Sequence, residues 1–351
     1  MKLRRALVLV VSCLALGGVS VLAGADSPTS LTVAPATGFQ GPVRGVTIST
    51  HRSGQEWGSD QMRPTMEQLR DLGAGWVAIH PYAAIRTDGT VHVWRGLDPD
   101  SPPEELVRPI REAHALGLKI LIKPHLAYWG SPFAWRGDIG FAEDEAAWER
   151  FWTGYKDWIV KLARIAREAD GFVVGTELAL TLGHEDRWVD LIGAVREVSD
   201  APLTYAANWD KYESVPFWSK LDTIGVQAYF PLVDVETETT EATVREGWAQ
   251  WSERLAAFSK AQERPVLFTE LGYNHSPNTA REPWAGGPGD GEEAVQALCM
   301  RVALETVERE ETIIGTFLWK WFPEPHPAGR DYRLATPTMR GVIREAWSKE
   351  P

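Results

Sequence analysis

The chain has 351 residues, of which 44% are hydrophobic, and it carries a formal net charge of −12 at pH 7. A chain of this length buries an ample core without disulfide bonds, and its acidic character without a basic run argues against nucleic acid as a partner. The 17 tryptophans indicate a neutral carbohydrate partner instead, because the C–H faces of a sugar ring stack well on indole.

The N-terminus has the pattern of an export signal. Basic residues at positions 2, 4 and 5 precede an apolar stretch over residues 6–22, and Ala23-Gly24-Ala25 supplies a signal peptidase site. The apolar stretch is short and weakly flanked for a membrane anchor. We therefore predict a signal peptide over residues 1–25, a secreted or periplasmic protein, and no membrane span. Residues 26–40, rich in Ser, Thr, Pro and Ala, are predicted to be a flexible lead.

A lipid anchor at Cys13 is the alternative to free export. Val10-Val11-Ser12-Cys13 resembles a lipobox, but the apolar run continues past Cys13, which favours an ordinary cleaved signal. After cleavage Cys299 is the remaining cysteine, so no intramolecular disulfide can form. Cys299 lies in an apolar pattern of helical spacing over residues 294–303, which predicts a buried, unreactive thiol.

Short apolar runs bounded by Gly, Pro or Asp recur along the chain and predict eight strands. They are Val43–Ser49, Gly75–His80, Lys119–His125, Phe172–Glu177, Leu203–Asn208, Thr223–Tyr229, Val266–Glu270 and Ile314–Trp319. Stretches of helical amphipathic spacing between them are 62–72, 104–116, 144–169, 187–198, 243–262 and 291–308. The alternation of strand and helix predicts an α/β fold, a single-domain (β/α)8 TIM barrel over residues 41–351.

Glutamates end the fourth and the seventh predicted strands, at Glu177 and Glu270. Because the carboxyl ends of barrel strands open at one rim, both side chains are expected in the same cleft. Glycoside hydrolysis requires such a pair, with one carboxyl protonated to assist the leaving group and the other ionised to attack the anomeric carbon. In a retaining enzyme the two groups lie about 5–5.5 Å apart. The sequence therefore predicts a glycosidase that needs no cofactor.

Other polar and aromatic residues at predicted strand ends face the same rim. Asn208 and Trp209 follow the fifth strand, where an amide can reach a sugar hydroxyl and an indole can stack. His80 and His125 end the second and third strands and are predicted to hydrogen-bond substrate or to cap the barrel. Residues in long loops are predicted for more distant subsites, namely Trp129, Trp135, Arg136 and Trp284.

A metal-dependent barrel hydrolase is an alternative class. Such an enzyme needs two histidines on one face of the first strand and an aspartate at the end of the eighth. Here the first strand is followed by Ser49-Thr50-His51-Arg52, and the eighth ends in Trp319-Lys320-Trp321. Neither segment fits, so we predict no metal site.

Four motifs resemble glycoside hydrolase family 113, the β-mannanase-like enzymes within the clan A superfamily of retaining (β/α)8 glycosidases. They are Lys123-Pro124-His125, Trp135-Arg136-Gly137-Asp138-Ile139, Gly175-Thr176-Glu177 and Phe268-Thr269-Glu270-Leu271-Gly272-Tyr273. The resemblance covers essentially the whole chain after residue 25. It implies that Glu177 is the general acid/base and Glu270 the nucleophile.

The resemblance also implies roles for residues around the two glutamates. A tyrosine at the position of Tyr229 hydrogen-bonds and orients the nucleophile, and Tyr273 is among the substrate-binding residues. Trp319 resembles the platform under the sugar being cleaved, and Trp321 shares its face if the strand continues. The superfamily has Asn directly before the acid/base, where this chain has Thr176.

Because of that departure, the contact to the 2-hydroxyl of the sugar is predicted to come from Asn208 or Lys123. The expected activity is retaining hydrolysis of a β-linked polysaccharide or oligosaccharide, foremost β-1,4-mannan, by a monomer. Alternatives are a retaining β-glycosidase for xylan, glucan or galactan, and a barrel that binds carbohydrate without catalysis. The choice of sugar depends on how one or two polar groups meet an axial or equatorial hydroxyl.

Overall fold

Short runs of branched and aromatic residues form the strands, because such side chains pack well on a pleated surface. In the computed structural model, the residues described are 38–39, 41–51, 54–94, 96–285, 293–325 and 332–348. Their strands are β1 (Val43–Ile48), β2 (Trp76–Ile79), β3 (Tyr82–Ile85), β4 (Val91–His92), β5 (Lys119–Ile122), β6 (His125–Ala127), β7 (Gly171–Thr176), β8 (Leu203–Asn208), β9 (Thr223–Gln227), β10 (Val266–Leu271) and β11 (Ile313–Trp321).

Eight of these strands close a barrel in the order β1, β11, β10, β9, β8, β7, β5, β2, with β2 pairing back to β1. Each neighbouring pair is parallel. The predicted (β/α)8 TIM barrel is confirmed. Because all eight strands run the same way, their carboxyl ends meet at one rim.

The other three strands form a small sheet beside that rim, where β3 pairs in parallel with β6 and antiparallel with β4. The predicted third strand was too long. The barrel strand ends at Ile122, and the chain enters the small sheet at His125. Lys123 and Pro124 lie between the two strands, at the rim of the barrel.

Seven α-helices lie in the described part of the chain. They are α1 (Met62–Asp71), α2 (Glu104–Ala115), α3 (Glu145–Ile165), α4 (Glu185–Arg196), α5 (Glu241–Gln262), α6 (Glu293–Arg309) and α7 (Pro337–Trp347). Six match predicted helices, whereas α7 was not predicted. Between β8 and β9 the chain forms two single-turn 3-10 helices, Tyr212–Ser214 and Trp218–Lys220, in place of an α-helix. The alternation of strand and α-helix is therefore not strict.

Two layers of apolar side chains hold the barrel together. The larger layer lies between the strands and the helices. The smaller layer lies inside the barrel, below the rim formed by the carboxyl ends of the strands. It includes Phe39, Val43, Trp76, Ala78, Leu121, Val173, Ala206, Leu267 and Phe317. Gly45 makes room for it, since a Cβ there would lie 2.4 Å from the Phe317 ring. Nearer the rim the buried side chains become polar, with Lys123, Gln227 and Thr269 fully buried.

Phe39, in the predicted flexible lead, is buried, and its ring lies 5.9 Å from that of Trp76. The end of the lead therefore belongs to the barrel. The predicted signal peptide over residues 1–25 and the predicted lipid site at Cys13 lie outside the described residues. Within the described residues, no helix combines the length and apolarity needed to cross a membrane.

Cys299 lies on α6 with no exposed surface. Burial raises the pKa of its thiol to about 12, so the thiolate does not form at neutral pH. The prediction of a buried thiol is confirmed.

Candidate active site

The carboxyl ends of the barrel strands open into a cleft of about 640 Å³. Its walls are formed by Tyr128, Trp135, Arg136, Glu177, Asn208, Trp209, Asp210, Tyr229, Glu270, Trp284, Trp319 and Tyr332. Both glutamates predicted from the strand ends therefore lie in one cleft. Aromatic walls with a few convergent polar groups are typical of a small-molecule or sugar site.

Glu177 directly follows β7 and has a left-handed backbone conformation, with φ of 55°. This conformation is unfavourable for a residue with a Cβ, and such strain is concentrated at functional sites. The Glu177 N–H donates to the Ala206 carbonyl on β8 at 2.9 Å. The next N–H, of Leu178, donates to the Tyr205 hydroxyl at 2.7 Å. These two contacts hold the turn that places the Glu177 side chain in the cleft.

Arg136, from the loop between β6 and α3, is paired with Glu177. Its Nη1 donates to Glu177 Oε2 at 2.6 Å, and each side chain is only 12% exposed. The same guanidinium donates to the Leu126 carbonyl at 3.3 Å and contacts His125 Nδ1 at 3.4 Å. A charge-assisted pair in this partly buried setting is stronger than one in open solvent. The predicted place of Arg136 in a more distant subsite is wrong, because Arg136 lies in the cleft itself and pairs with Glu177.

Glu270 lies on β10, is 3% exposed, and accepts hydrogen bonds on both carboxylate oxygens. The Tyr229 hydroxyl donates to Oε2 at 2.5 Å, and the Lys123 ammonium donates to Oε1. His125 Nε2 lies 3.6 Å from Oε1. Burial and the Glu270 charge raise the pKa of Tyr229 well above its ordinary value, so its hydroxyl remains a donor. The structure thus brings Tyr229 into the contact with Glu270 that the resemblance implied.

Lys123 is fully buried inside the barrel and does not line the cleft. Besides Glu270, its Nζ donates to Gln227 Oε1 at 2.7 Å and to the Thr269 carbonyl at 3.0 Å. An ammonium has three protons, and these three acceptors use all of them. The prediction that Lys123 binds a sugar hydroxyl is therefore wrong, since a buried cation must satisfy its donors inside the protein.

His80 and His125 are also buried, at 2% and 1% exposure, and lie behind the cleft wall. Their rings are 5.2 Å apart, and each lies within 6 Å of the Trp319 ring. Burial, reinforced by the cations around them, lowers the pKa of both well below its ordinary value, so both are neutral. The structure places them as supports of Trp319 rather than in the cleft, so of the two predicted roles it favours capping of the barrel.

Trp319 lines the cleft with its ring stacked on His125 at 5.7 Å and 22°. This position suits the platform role that the resemblance implied. Trp321 was expected on the same face, and β11 does continue to it. However, Trp321 is 1% exposed and the Arg340 guanidinium covers its ring at 4.6 Å. The prediction that Trp321 binds substrate is wrong, because it packs in the outer core against the α7 side.

Trp209 and Trp284 form a stacked pair on another wall of the cleft, with ring centroids 5.4 Å apart at 18°. Trp251 meets Trp209 edge-on at 5.8 Å. Because Trp209 is half-buried between these neighbours while Trp284 is 45% exposed, Trp284 offers the freer indole face. Beside them Asn208 donates to Asp210 Oδ1 at 2.8 Å and borders the cleft, as predicted from the strand end.

Trp135 is fixed at the cleft by its own turn. Its Nε1 donates to Asp138 Oδ1 at 2.8 Å, and its backbone N–H donates to Asp138 Oδ2 at 3.2 Å. A Cβ on Gly137 would lie 2.1 Å from the Trp135 ring, so only glycine allows the indole this close approach. Trp129 lies farther out, 61% exposed and 5.3 Å from the Tyr82 ring. Both tryptophans are thus available at the surface, as their predicted subsite roles require.

Two further expectations concern residues near the glutamates. Tyr273 is fully buried, and its hydroxyl accepts a hydrogen bond from Trp248 Nε1 at 3.1 Å. The prediction that Tyr273 binds substrate is wrong, because its side chain belongs to the core between strands and helices. Thr176 is 2% exposed and donates to the Pro124 carbonyl at 3.0 Å. Of the two residues predicted for the 2-hydroxyl contact, only Asn208 borders the cleft.

Three cleft residues were missed in the sequence. Tyr128 and Asp210 follow predicted strand ends by only a few positions. They can be predicted from the sequence if the first residues of each following loop are counted as part of the rim. Tyr332 lies near no predicted strand, and its ring lies 5.9 Å from that of Tyr229. No periodic signal marks it, because its position depends on tertiary packing alone.

The fold and the two carboxylates in one cleft define the class of this protein: a glycoside hydrolase built on a (β/α)8 barrel. In the described ranges, no three His, Cys, Asp or Glu side chains lie close enough together to hold a metal ion. The chain belongs to Glycoside Hydrolase Family 113, whose family model matches residues 46–331.

Several solved structures share this fold. A GH113 β-mannanase from Alicyclobacillus acidocaldarius, in complex with ManMIm, is 26% identical, covers 88% of this chain and 98% of its own, and has a TM-score of 0.75. A GH113 β-1,4-mannanase structure is 23% identical, covers 89% and 100%, and has a TM-score of 0.77. A β-glucuronidase from Ruminococcus gnavus, 11% identical with a TM-score of 0.59, covers 87% of this chain and 50% of its own. No curated protein sequence matches the chain.

Proposed function

We propose that this protein hydrolyses β-1,4-mannan with net retention, using Glu270 as the nucleophile and Glu177 as the general acid/base. Membership of family 113 supports the chemistry. The sugar is supported by the family 113 structures that this chain resembles, which are β-mannanases.

One observation carries the division of roles: the two carboxylates have unlike partners. Glu270 is nearly inaccessible, with an ammonium on one oxygen and a phenol on the other. Both partners donate hydrogen bonds, so both oxygens of this carboxylate are held in a fixed orientation. Glu177 is more exposed and has one cationic partner, Arg136, at the cleft surface. The carboxylate held in a fixed orientation suits nucleophilic attack, and the more accessible carboxylate suits exchange of a proton with the leaving group and with water.

In the first displacement, a Glu270 oxygen attacks the anomeric carbon and forms a glycosyl ester. The bond from that carbon to the leaving oxygen breaks, and Glu177 gives its proton to the leaving oxygen. Tyr229 holds Glu270 during the attack, and Trp319 lies in the cleft as the platform for the sugar ring.

In the second displacement, water attacks the anomeric carbon while Glu177, now ionised, takes one of the water protons. The ester bond to Glu270 breaks, and its carboxylate returns to the hydrogen bonds of Lys123 and Tyr229. Two inversions give retention of configuration.

The test is incubation of the purified protein with a panel of β-linked polysaccharides, including mannan, xylan, glucan and galactan. Chromatography identifies the products, and proton NMR during early turnover gives their anomeric configuration. We expect manno-oligosaccharides that are released as the β-anomer. Release of the α-anomer would contradict the double displacement, and no hydrolysis of any polysaccharide would favour a barrel that binds carbohydrate without catalysis.

We further propose that the protein acts as an exported monomer. Both carboxylates and the aromatic walls of the cleft are supplied by a single barrel. The charged start, apolar stretch and Ala23-Gly24-Ala25 site support export. Light scattering on the purified protein tests the first point, and N-terminal sequencing of protein from a secreting culture tests the second. A mature chain that begins at Cys13 would show lipid anchoring instead.

A further inference from the structure

Lys123 bridges the barrel interior beneath the proposed nucleophile. It follows β5, whereas its acceptors lie on β9 and β10, in the form of Gln227 Oε1, the Thr269 carbonyl and Glu270 Oε1. Lys123, Gln227 and Thr269 have no exposed surface. A cation so deep in a protein is retained only where its charge and its protons are matched.

The partners of Glu270 differ in where they lie. Tyr229, the donor to Oε2, lines the cleft, whereas Lys123, the donor to Oε1, does not. Oε1 is therefore turned to the barrel interior and Oε2 to the cleft. An oxygen held by an ammonium in the interior cannot reach a sugar, so Oε2 is the oxygen that faces the anomeric carbon.

We propose that Lys123 is a positioning residue for the nucleophile: its ammonium fixes Oε1 of Glu270 inside the barrel, presents Oε2 to the anomeric carbon, and stabilises the ionised carboxylate. The proposal rests on the proposed nucleophilic role of Glu270. Removing the charge, without changing the shape of the site, should slow formation of the glycosyl ester and not only weaken substrate binding.

The charge of Lys123 depends on its surroundings. Burial lowers the pKa of Lys123 below its ordinary value of 10.5, and the charge of Glu270 offsets part of that fall. Glu177 acts in the same direction as Glu270, and Arg136 acts in the opposite direction. On the remaining sides lie His125 and His80, which burial keeps neutral, and the Trp319 ring, 5.4 Å from Nζ. Attack by Glu270 should therefore weaken at alkaline pH as Lys123 loses its proton.

The test isolates this attack by using the Glu177→Ala background and aryl glycosides with good leaving groups, which need no acid. The burst of released phenol measures ester formation. We expect a plot of burst rate against pH to have one alkaline limb, along which the rate falls as the pH rises. The midpoint of this limb should lie below pH 10.5. Lys123→Arg in the same background should remove that limb, because a guanidinium keeps its proton. Lys123→Met should slow the burst roughly 10²- to 10³-fold, as does removal of a preorganised donor in other enzymes.

Two further variants keep the test decisive. Thr316→Val is an isosteric substitution of a buried residue on β11 that is not one of the three acceptors of Lys123. The alkaline limb of its burst rate should match that of the parent. Gln227→Leu removes one acceptor of Lys123 without touching either charge, so it applies even if the Lys123 variants fail to fold. It should move the limb to lower pH, because the ammonium loses a hydrogen bond that favours its charged form.

The role of Lys123 is overturned if Lys123→Arg keeps the alkaline limb of the parent, or if Lys123→Met gives the burst rate of the parent. It is also overturned if Gln227→Leu folds and its alkaline limb stays at the pH of the parent limb. A parent that gives no burst with any aryl glycoside contradicts the proposed function itself. A normal burst that is insensitive to Lys123 contradicts only this inference.

Discussion

Arg136 Nη1 lies 2.6 Å from Glu177 Oε2, and the same guanidinium contacts His125 Nδ1 at 3.4 Å. His125 in turn places Nε2 at 3.6 Å from Glu270 Oε1. The two carboxylates are therefore connected through one arginine and one neutral imidazole. With Nδ1 facing the donor Arg136, the proton of the neutral ring belongs on Nε2, toward Glu270.

This arrangement predicts that Arg136→Lys impairs proton delivery to natural glycans. Lysine keeps the charge but loses the planar fork that contacts Glu177 and His125 together. We expect kcat/KM on mannan to fall roughly 10²-fold, the scale of a small misplacement of a catalytic group. Aryl glycosides with good leaving groups should lose much less. A series of aryl leaving groups measures the difference.

The matched control is Arg254→Lys. Arg254 forms a two-pronged pair with Glu213 at 2.8 Å on each prong, and it does not line the cleft. Its kinetics should equal those of the parent. Equal losses on good and poor leaving groups in Arg136→Lys would contradict a role in proton delivery.

Glu270→Ala should abolish turnover of all substrates, since it removes the attacking group, and should lower the melting temperature, since it leaves the buried Lys123 ammonium without its counter-charge. Azide should restore cleavage of activated substrates, because a small anion can enter the vacated space and attack from the same face. The product should be a glycosyl azide of inverted configuration, which NMR identifies. Thermal melting and circular dichroism check the fold, and a rescued product of retained configuration would count against the nucleophile role.

Glu177→Gln cannot donate a proton, so natural glycans should not react. Substrates with good leaving groups should still form the ester with Glu270 and then accumulate there, because the attacking water lacks its base. Mass spectrometry of the stalled protein detects the added glycosyl group on the peptide that contains Glu270. Loss of both substrate types to the same extent would contradict the assignment of Glu177.

The sequence predicts the site best where residues with reactive side chains lie at the ends of predicted strands. The barrel and the shared cleft of Glu177 and Glu270 could be predicted because strand ends of a parallel barrel share one rim. Which face of an element a side chain occupies is less predictable from the sequence. Lys123 directly follows a barrel strand and Tyr273 lies three residues after Glu270, yet both side chains point into cores, and only tertiary contacts decide this.

Arg136 shows the converse error. Its loop is long and irregular, and such a loop carries no periodicity from which the position of a side chain can be derived. The structure places it at Glu177 through contacts that the sequence does not encode locally. Missing α7 had a related cause, since a short helix after a loop lacks the flanking strand signals that marked the other helices.

Trp284→Ala should weaken binding of long substrates without affecting chemistry. The indole is 45% exposed and stacked on Trp209, away from the Lys123 and Tyr229 contacts of Glu270. One aromatic stacking contact contributes about 0.5–1.5 kcal/mol, so KM for mannan should rise roughly 2- to 10-fold. The melting temperature should stay at the parent value. In the Glu177→Ala background, the burst rate with aryl monosaccharides should also stay at the parent value.

Two tryptophan controls separate stacking on substrate from packing within the protein. Trp94→Ala removes an indole of similar exposure, 49%, that does not line the cleft, and KM should not change. Trp209→Ala should raise KM and also lower the melting temperature, because Trp209 packs between Trp251 and Trp284. If Trp94→Ala and Trp284→Ala change KM alike, or if Trp284→Ala slows the burst with monosaccharides, then Trp284 is not a substrate platform.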